Sequence, residues 1–395
     1  MKYFDYLSDL QLKGIFYQQP AIITKNTPKD VLQYALGATL YMPSTRKDIA
    51  QLVITKKYKE LCSMVLCLED SIADSEVRDA EVNLVLQIQN IYQAMEQQMI
   101  SISELPLLFI RVRSSVQMKW IAEQLGKMLA VVSGFAFPKF TTHNAEEYLS
   151  ALKDISMMHE TVLYALPIIE TPDVLYKETR MSTLLKLKEV ADEYQSDILN
   201  IRIGATDFCG LFGIRRDSHT TIYEVSVIRD VIADIVNFFG RDYTVSGPVW
   251  EYYHHAERIL KPELRQSPFI EGYGEEGLQI RTKMLSTHMD GLIKETLLDK
   301  ANGIHGKTII HPSHLKIVQG LQVVSKEEYL DAVSIIESNE HGVIKSAYAN
   351  KMNEIKPHYQ WAQKIIKKST VFGVYHEKHS FIDVLTESQQ ISHSR

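Results

Sequence analysis

The chain has 395 residues, long for a single domain, and one α/β barrel of about 250 residues with an appendage accounts for it. A formal charge of -6 leaves no electrostatic footprint for nucleic acid or an anionic membrane surface, while 45% hydrophobic and 23% charged residues match a folded globular protein. No apolar run reaches bilayer-spanning length and the first twenty residues lack the apolar centre of a signal peptide, so a cytoplasmic location is expected.

In chain order, an apolar run at 38–42 is followed by helical periodicity at Ile49, Leu52 and Val53. Further runs stand at 64–68 and 107–112, then a helical stretch over 120–129, then runs at 134–138 and 163–169. The segment 177–194 places Leu184, Leu185, Leu187, Val190, Ala191 and Tyr194 at helical spacing, and runs at 201–205, 243–246 and 308–310 complete the series. Eight strand-like runs alternating with helical segments predict a parallel sheet closed as a (β/α)₈ TIM barrel. The seventh run is followed by a long connection containing Ser267-Pro268. Beyond residue 320 the pattern turns wholly helical, at 326–337 and 358–368 around Gly342, which predicts a barrel domain over 1–320 and a C-terminal helical lid or tail over 321–395.

Barrel chemistry belongs to the C-terminal ends of the strands. Glu69 and Asp70 end the second run, Arg111 and Arg113 the third, Lys139 the fourth, Glu170 the fifth, Asp207 follows the sixth, and His311 ends the eighth. Glu170 and Asp207 flank a β-α-β unit; ends of neighbouring parallel strands lie roughly 5 Å apart, so both carboxylates can reach one ion. An oxygen-only pair suits Mg²⁺ or Mn²⁺. Arg111 and Arg113 are two apart and on an extended strand would share a face. A structural salt-bridge network would also set acids opposite bases, but charged or polar groups at six of the eight strand ends favour a site.

Other motifs carry less. Gly272-Tyr273-Gly274-Glu275-Glu276-Gly277 matches a dinucleotide fingerprint only in letters, because no strand precedes it and two glutamates would repel a pyrophosphate. His311 and His314 bracket Pro312 with no third ligand nearby and read as hydrogen-bonding side chains rather than a zinc pair; His254-His255 is weaker still. Cys62, Cys67 and Cys209 form no disulfide framework, and Cys209 reads as a small buried thiol.

In order, Leu40-Tyr41-Met42-Pro43, Leu68-Glu69-Asp70-Ser71-Ile72, Ile110-Arg111-Val112, Phe137-Pro138-Lys139, Ile169-Glu170-Thr171, Gly204-Ala205-Thr206-Asp207-Phe208 and Gly306-Lys307-Thr308-Ile309-Ile310-His311-Pro312 resemble the motif series of the citrate lyase beta-subunit-like branch of the HpcH/HpaI aldolase family. The resemblance implies a TIM-barrel carbon–carbon lyase, with Mg²⁺ held by Glu170 and Asp207 and Arg111 on a substrate carboxylate or enolate. It also implies Glu69 and Asp70 as supports of the catalytic centre, and Lys139 and His311 among the substrate-binding residues. Residues 349–354, ending at Glu354, resemble a lid motif that in some members completes a neighbouring subunit's site, which implies a homo-oligomer and a catalytic role for Glu354. The implied partner is a small carboxylate-bearing substrate.

The chain departs from that pattern at Arg113, where the family has Asn, at Glu354, where it has Asp, near Val77, where a Lys is replaced, and at Ser44-Thr45-Arg46, where a turn glycine is missing. These changes argue against coenzyme A thioester use, and Arg113 suggests a more acidic or phosphorylated substrate. Ser246-Gly247-Pro248-Val249-Trp250 is similar to the lyase-like branch associated with bacterial tellurium-resistance and stress gene clusters. The expected function is an Mg²⁺-dependent lyase or aldolase acting through an enolate. The competing expectation is a catalytically silent barrel serving as a binding or assembly subunit.

Overall fold

A computed structural model describes residues 1–253, 287–338 and 342–390. Gly272–Gly277, Ser267-Pro268 and His254-His255 lie outside the described residues.

The eight apolar runs form eight parallel strands: β1 Ala38–Pro43, β2 Ser63–Cys67, β3 Leu107–Arg111, β4 Gly134–Phe137, β5 Tyr164–Ile169, β6 Ile201–Ile203, β7 Val245–Ser246 and β8 Lys307–Ile309. Their order is β7-β6-β5-β4-β3-β2-β1-β8. A parallel bridge between Gly247 and Lys307 joins the two outer strands, with Gly247 N–H donating to Gly306 O at 3.0 Å and Thr308 N–H to Gly247 O at 3.1 Å. The sheet thus closes as a (β/α)₈ TIM barrel, as the alternation predicts. The seventh strand is short but in register, Ile201 opposite Val245.

Side-chain alternation sorts each strand into two layers. Leu66, Leu108, Ile110, Phe135, Phe137, Ile169, Ile201 and Ile203 face outward and form the main core with the helices. Val65, Leu107, Phe109, Ala136, Leu166 and Ile168 fill the interior. The helix Lys177–Glu193 covers β5 and β6 by burying Leu184, Leu187 and Ala191. Leu185, expected on that buried face, is exposed, because the apolar stripe is narrower than the run of apolar letters suggests.

The N-terminal end of the barrel is plugged by aromatic side chains. Tyr3 and Phe372 approach with ring centroids 4.5 Å apart beneath the entry to β1, and Phe4 meets Phe16 at 5.2 Å. Strand Phe16–Gln18 pairs antiparallel with Val374–Tyr375, tying the beginning of the chain to its end. The C-terminal helices Lys326–Glu337 and Ile355–Phe372 share a small core of Ala332, Ile335, Ala362 and Ile365. The second of these is longer than expected at both ends, and helix Leu315–Gln322 runs through position 320 without a break. Among the described residues, no helix is long and apolar enough to cross a membrane.

Candidate active site

At the C-terminal face of the barrel, the inward positions change from apolar to charged. Cys67, Arg111 and Glu170 continue the inward parity of Val65, Phe109 and Ile168, which is why side chains so far apart in sequence converge. The Arg111 guanidinium collects three carboxylates: Nη2 lies 2.5 Å from Glu69 Oε2, 3.0 Å from Asp70 Oδ2 and 3.3 Å from Glu170 Oε1. The Lys139 ammonium pairs with Glu69 Oε1 and sits 3.1 Å from Asp70 Oδ1. Lys139 also donates its backbone N–H to Glu170 Oε1 at 2.8 Å from a left-handed conformation, φ 47°. Such a backbone costs energy for a non-glycine residue and is characteristic of functional sites.

Glu170 is buried, 4% exposed, and lines the same cavity as Asp207, which lies in the first turn of the helix Ala205–Leu211 after β6. Burial pushes the Glu170 carboxyl well above the usual carboxylate range; Arg111 opposes the shift and the Asp207 charge adds to it. Asp207 is also pushed up, by burial and by the charge of Asp70. Asp70 is lowered: burial works against its charge, but hydrogen bonding with Glu69 and the Arg111 and Lys139 cations outweigh it. Gly204 makes room for this pair, since a Cβ there would fall 2.2 Å from Glu170 Oε2 and 2.5 Å from Glu170 Cβ.

The donor set fits a divalent cation. When all are ionised, Glu69, Asp70, Glu170 and Asp207 outnumber Arg111 and Lys139 by two negative charges, and the two upward-shifted carboxyls, Glu170 and Asp207, line one cavity. Among the described residues, no group of three or more His, Cys, Asp or Glu side chains forms a metal cage. An ion here would therefore be held by Glu170 and Asp207 and would complete its shell with water or substrate, as Mg²⁺ does. A cavity of about 420 Å³ adjoins the pair, lined by Asp70, Arg111, Glu170, Asp207 and several apolar side chains.

Five of the expected site residues, Glu69, Asp70, Arg111, Lys139 and Glu170, thus form one bonded cluster, with Asp207 against it. Arg113 does not join them. Strand β3 ends at Arg111, so the shared-face expectation fails for Arg113, two residues beyond it. The Arg113 guanidinium instead donates to Leu68 O at 2.7 Å and Ile72 O at 3.0 Å, and pairs with Asp74 at 2.6 Å. Glu354 is also apart. It is exposed at the end of a hairpin that leads into helix Ile355–Phe372, whose far end plugs the opposite mouth of the barrel.

His311 follows the cavity-lining Ile310, accepts from Ser313 N–H at 3.3 Å through Nδ1 and stacks on Tyr253 with centroids 4.4 Å apart. His314 is buried, its Nε2 donating to Tyr252 O at 3.0 Å, and burial depresses its pKa to about 4. Both side chains thus take part in hydrogen bonds. Cys209 is buried in the main core.

Sequence reasoning passed over Arg202. It is 1% exposed and occupies the inward position of β6, opposite Ile168. Its signal was present: between outward Ile201 and Ile203, residue 202 faces the interior, where a cation is unexpected. Tyr41, Cys67 and Thr308, on the inward positions of three other strands, line the same cavity.

Similarity to solved structures is strongest in fold. CitE of Mycobacterium tuberculosis in complex with magnesium, acetoacetate and coenzyme A is 16% identical, with a TM-score of 0.50, over 85% of this chain and 99% of that one. The citrate lyase beta subunit from M. tuberculosis complexed with oxaloacetate and magnesium is also 16% identical, with a TM-score of 0.40 over 73% and 96% of the two chains. RipC from Yersinia pestis is 14% identical, with a TM-score of 0.42 over 73% and 95%. No curated protein matches the chain. The family model of the C-C bond lyases of the TIM-barrel fold matches residues 30–374, nearly the whole described barrel and the helices that follow, and the chain belongs to that family.

Proposed function

We propose that the protein is an Mg²⁺-dependent carbon–carbon lyase or aldolase that makes or breaks a bond beside a carbonyl, through an enolate, on a 2-oxo acid, a 3-hydroxy acid or an acyl thioester. The observation that carries this reading is that Glu170 and Asp207, at neighbouring strand ends, line one cavity together with Arg111, which is paired with Glu170, and that the cavity has room for a small carboxylate. The similarity to CitE, crystallised with magnesium and acetoacetate, supports the same choice of ion and ligand class.

Breaking a carbon–carbon bond next to a carbonyl leaves the bonding pair on the α-carbon, delocalised to oxygen as an enolate, while the departing fragment becomes a carbonyl by losing a hydroxyl proton. A divalent ion at Glu170 and Asp207 would supply the electrophile that polarises the carbonyl. Arg111 adds a fixed positive charge where the enolate oxygen develops, and its three carboxylate partners hold it there, so no reorganisation accompanies the reaction. Lys139 keeps Glu69 and Asp70 turned toward Arg111 with its ammonium, and orients Glu170 with its backbone N–H. Biosynthetic direction, a cytoplasmic setting and a homo-oligomer in which Glu354 serves a neighbouring subunit belong to the same reading, following the family resemblance.

Calorimetric titration of Mg²⁺ into metal-free protein, alone and with pyruvate, oxaloacetate or glyoxylate, tests it. The acid is expected to bind only with the metal present. Asp207→Ala should stay folded and lose metal affinity by at least the roughly 10–100-fold that removal of a supporting partner costs a metal site. Unchanged Mg²⁺ affinity in folded Asp207→Ala would sink the assignment.

A further inference from the structure

Below the carboxylate tier, the cavity has a second charged floor. Arg202 lines it from β6, two residues before Gly204, so on the paired strands its level is about 7 Å beneath that of Glu170. Its guanidinium reaches across the barrel interior: Nη2 donates to Thr308 Oγ1 at 2.7 Å, Nη1 to Thr39 Oγ1 at 3.5 Å, and the group lies 5.6 Å from the Tyr41 ring. All three partners are neutral. Among the described residues Arg202 forms no ion pair, and its buried Nε has no hydrogen-bond partner.

A guanidinium stays charged at any working pH, and a buried charge without a counter-ion is among the most costly arrangements in a protein interior. The other buried arginines among the described residues are compensated: Arg111 by three carboxylates, Arg180 by Asp230 and Asp234, Arg216 by Glu251 and Glu295. With a divalent ion on Glu170 and Asp207, the upper tier is neutral, and Arg202 remains as the unbalanced charge of the cavity. The threonine hydroxyls accept from the guanidinium without neutralising it, so its charge is left for an incoming anion.

We propose that Arg202, held by Thr39 and Thr308, is an anion-binding specificity residue that receives a second acidic group of the substrate, a carboxylate or a phosphate-like group, at the floor of the cavity. The first acidic group and the reacting carbonyl occupy the tier of Glu170, Asp207 and Arg111. This rests on the lyase reading and narrows it: the substrate carries two anionic groups, and the extra positive charge expected at Arg113 is supplied at Arg202.

Three 2-oxo acids that differ only at C3 test this: pyruvate, freshly prepared oxaloacetate and phosphonopyruvate, each titrated calorimetrically into Mg²⁺-saturated protein. Wild type should bind one of the two C3-substituted acids at least tenfold more tightly than pyruvate, and which one distinguishes carboxylate from phosphate-like recognition. Arg202→Met should lose roughly 10–100-fold on that ligand, the range for a hydrogen bond to a charged group, while pyruvate stays within about twofold. Arg202→Lys, which keeps the charge but not the fork, should recover part of the loss. Equal affinity of wild type for all three acids, or an equal loss on pyruvate and the preferred acid in Arg202→Met, overturns the assignment. The wild-type comparison decides even where Arg202→Met fails to fold. If none of the acids binds wild type, the lyase reading on 2-oxo acids falls and takes this inference with it; if pyruvate binds and the others gain nothing, only the inference falls.

Discussion

At the scale of single residues, the site depends on a few atoms having nowhere else to go. Glu170 is pressed against the α-carbon of Gly204, so its carboxylate position is set by the absence of a side chain on the next strand. Gly204→Ala would push a methyl to within 2.2 Å of Glu170 Oε2. Because Glu170 is buried and tied to Arg111 and Lys139 N–H, the carboxylate would have to give way with its partners. The expected result is a folded protein whose Mg²⁺ affinity falls about as far as in Asp207→Ala, measured by the same titration. Retained affinity would show that the strand shifts instead and that Gly204 does not position the ligand. Glu69, Asp70, Arg111, Lys139, Glu170 and Asp207 were legible as candidates because acids and bases at the ends of apolar runs are conspicuous. Arg202 was not singled out, because a lone charge inside a three-residue strand looks like an interruption until its inward parity is known.

Among the elements, the connection after β2 carries Glu69 and Asp70, and Arg113 fastens it. One guanidinium binds the carbonyls of Leu68 and Ile72 and the carboxylate of Asp74, clamping that connection onto the end of β3. Arg113→Met should therefore cost about 1–3 kcal/mol of stability, the range for leaving buried acceptors unsatisfied, and should not change the ranking of pyruvate, oxaloacetate and phosphonopyruvate. Chemical denaturation and the ligand panel read the two effects separately. A changed ranking at unchanged stability would restore Arg113 to the substrate-binding role that its spacing suggested. The spacing misled because alternation applies only while the strand lasts, and β3 stops at Arg111. The eight strands themselves were readable to within a residue or two, since each is an apolar run bounded by polar turns.

For the molecule as a whole, the charged mouth of the barrel makes stability depend on pH in a direction that the metal should reverse. Glu170 and Asp207 hold their protons more tightly in the folded state than in the unfolded chain. As pH rises through about 4, where unperturbed carboxyls of the unfolded chain lose their protons, the unfolded state binds fewer protons than the folded one, so these two groups make metal-free protein progressively less stable until they ionise. Buried His314 and Lys368, depressed to about 4 and about 7, contribute slopes of the opposite sign. The difference between melting temperatures with and without saturating Mg²⁺ isolates the site. That difference should be smallest at pH 4.5, where burial keeps the Glu170 carboxyl protonated, and should grow steadily toward pH 8 as it becomes available to the ion. Asp207→Asn should flatten it. A pH-independent Mg²⁺ shift in wild type would place the ion elsewhere.

The sequence by itself determined the barrel and the chemistry of its rim. Apolar runs recurring between helical segments admit few architectures, and acids and bases placed just past those runs can meet only at one face of a closed sheet. Tertiary structure alone decided which of those groups share the cavity. Where β3 ends turned Arg113 away, the packing of helix Ile355–Phe372 against the opposite mouth left Glu354 outside the chain's own cluster, and closure of the barrel brought Thr39 and Thr308 within reach of Arg202. Each outcome depends on where a strand stops or which strands become neighbours across the interior, and periodicity along the chain contains neither.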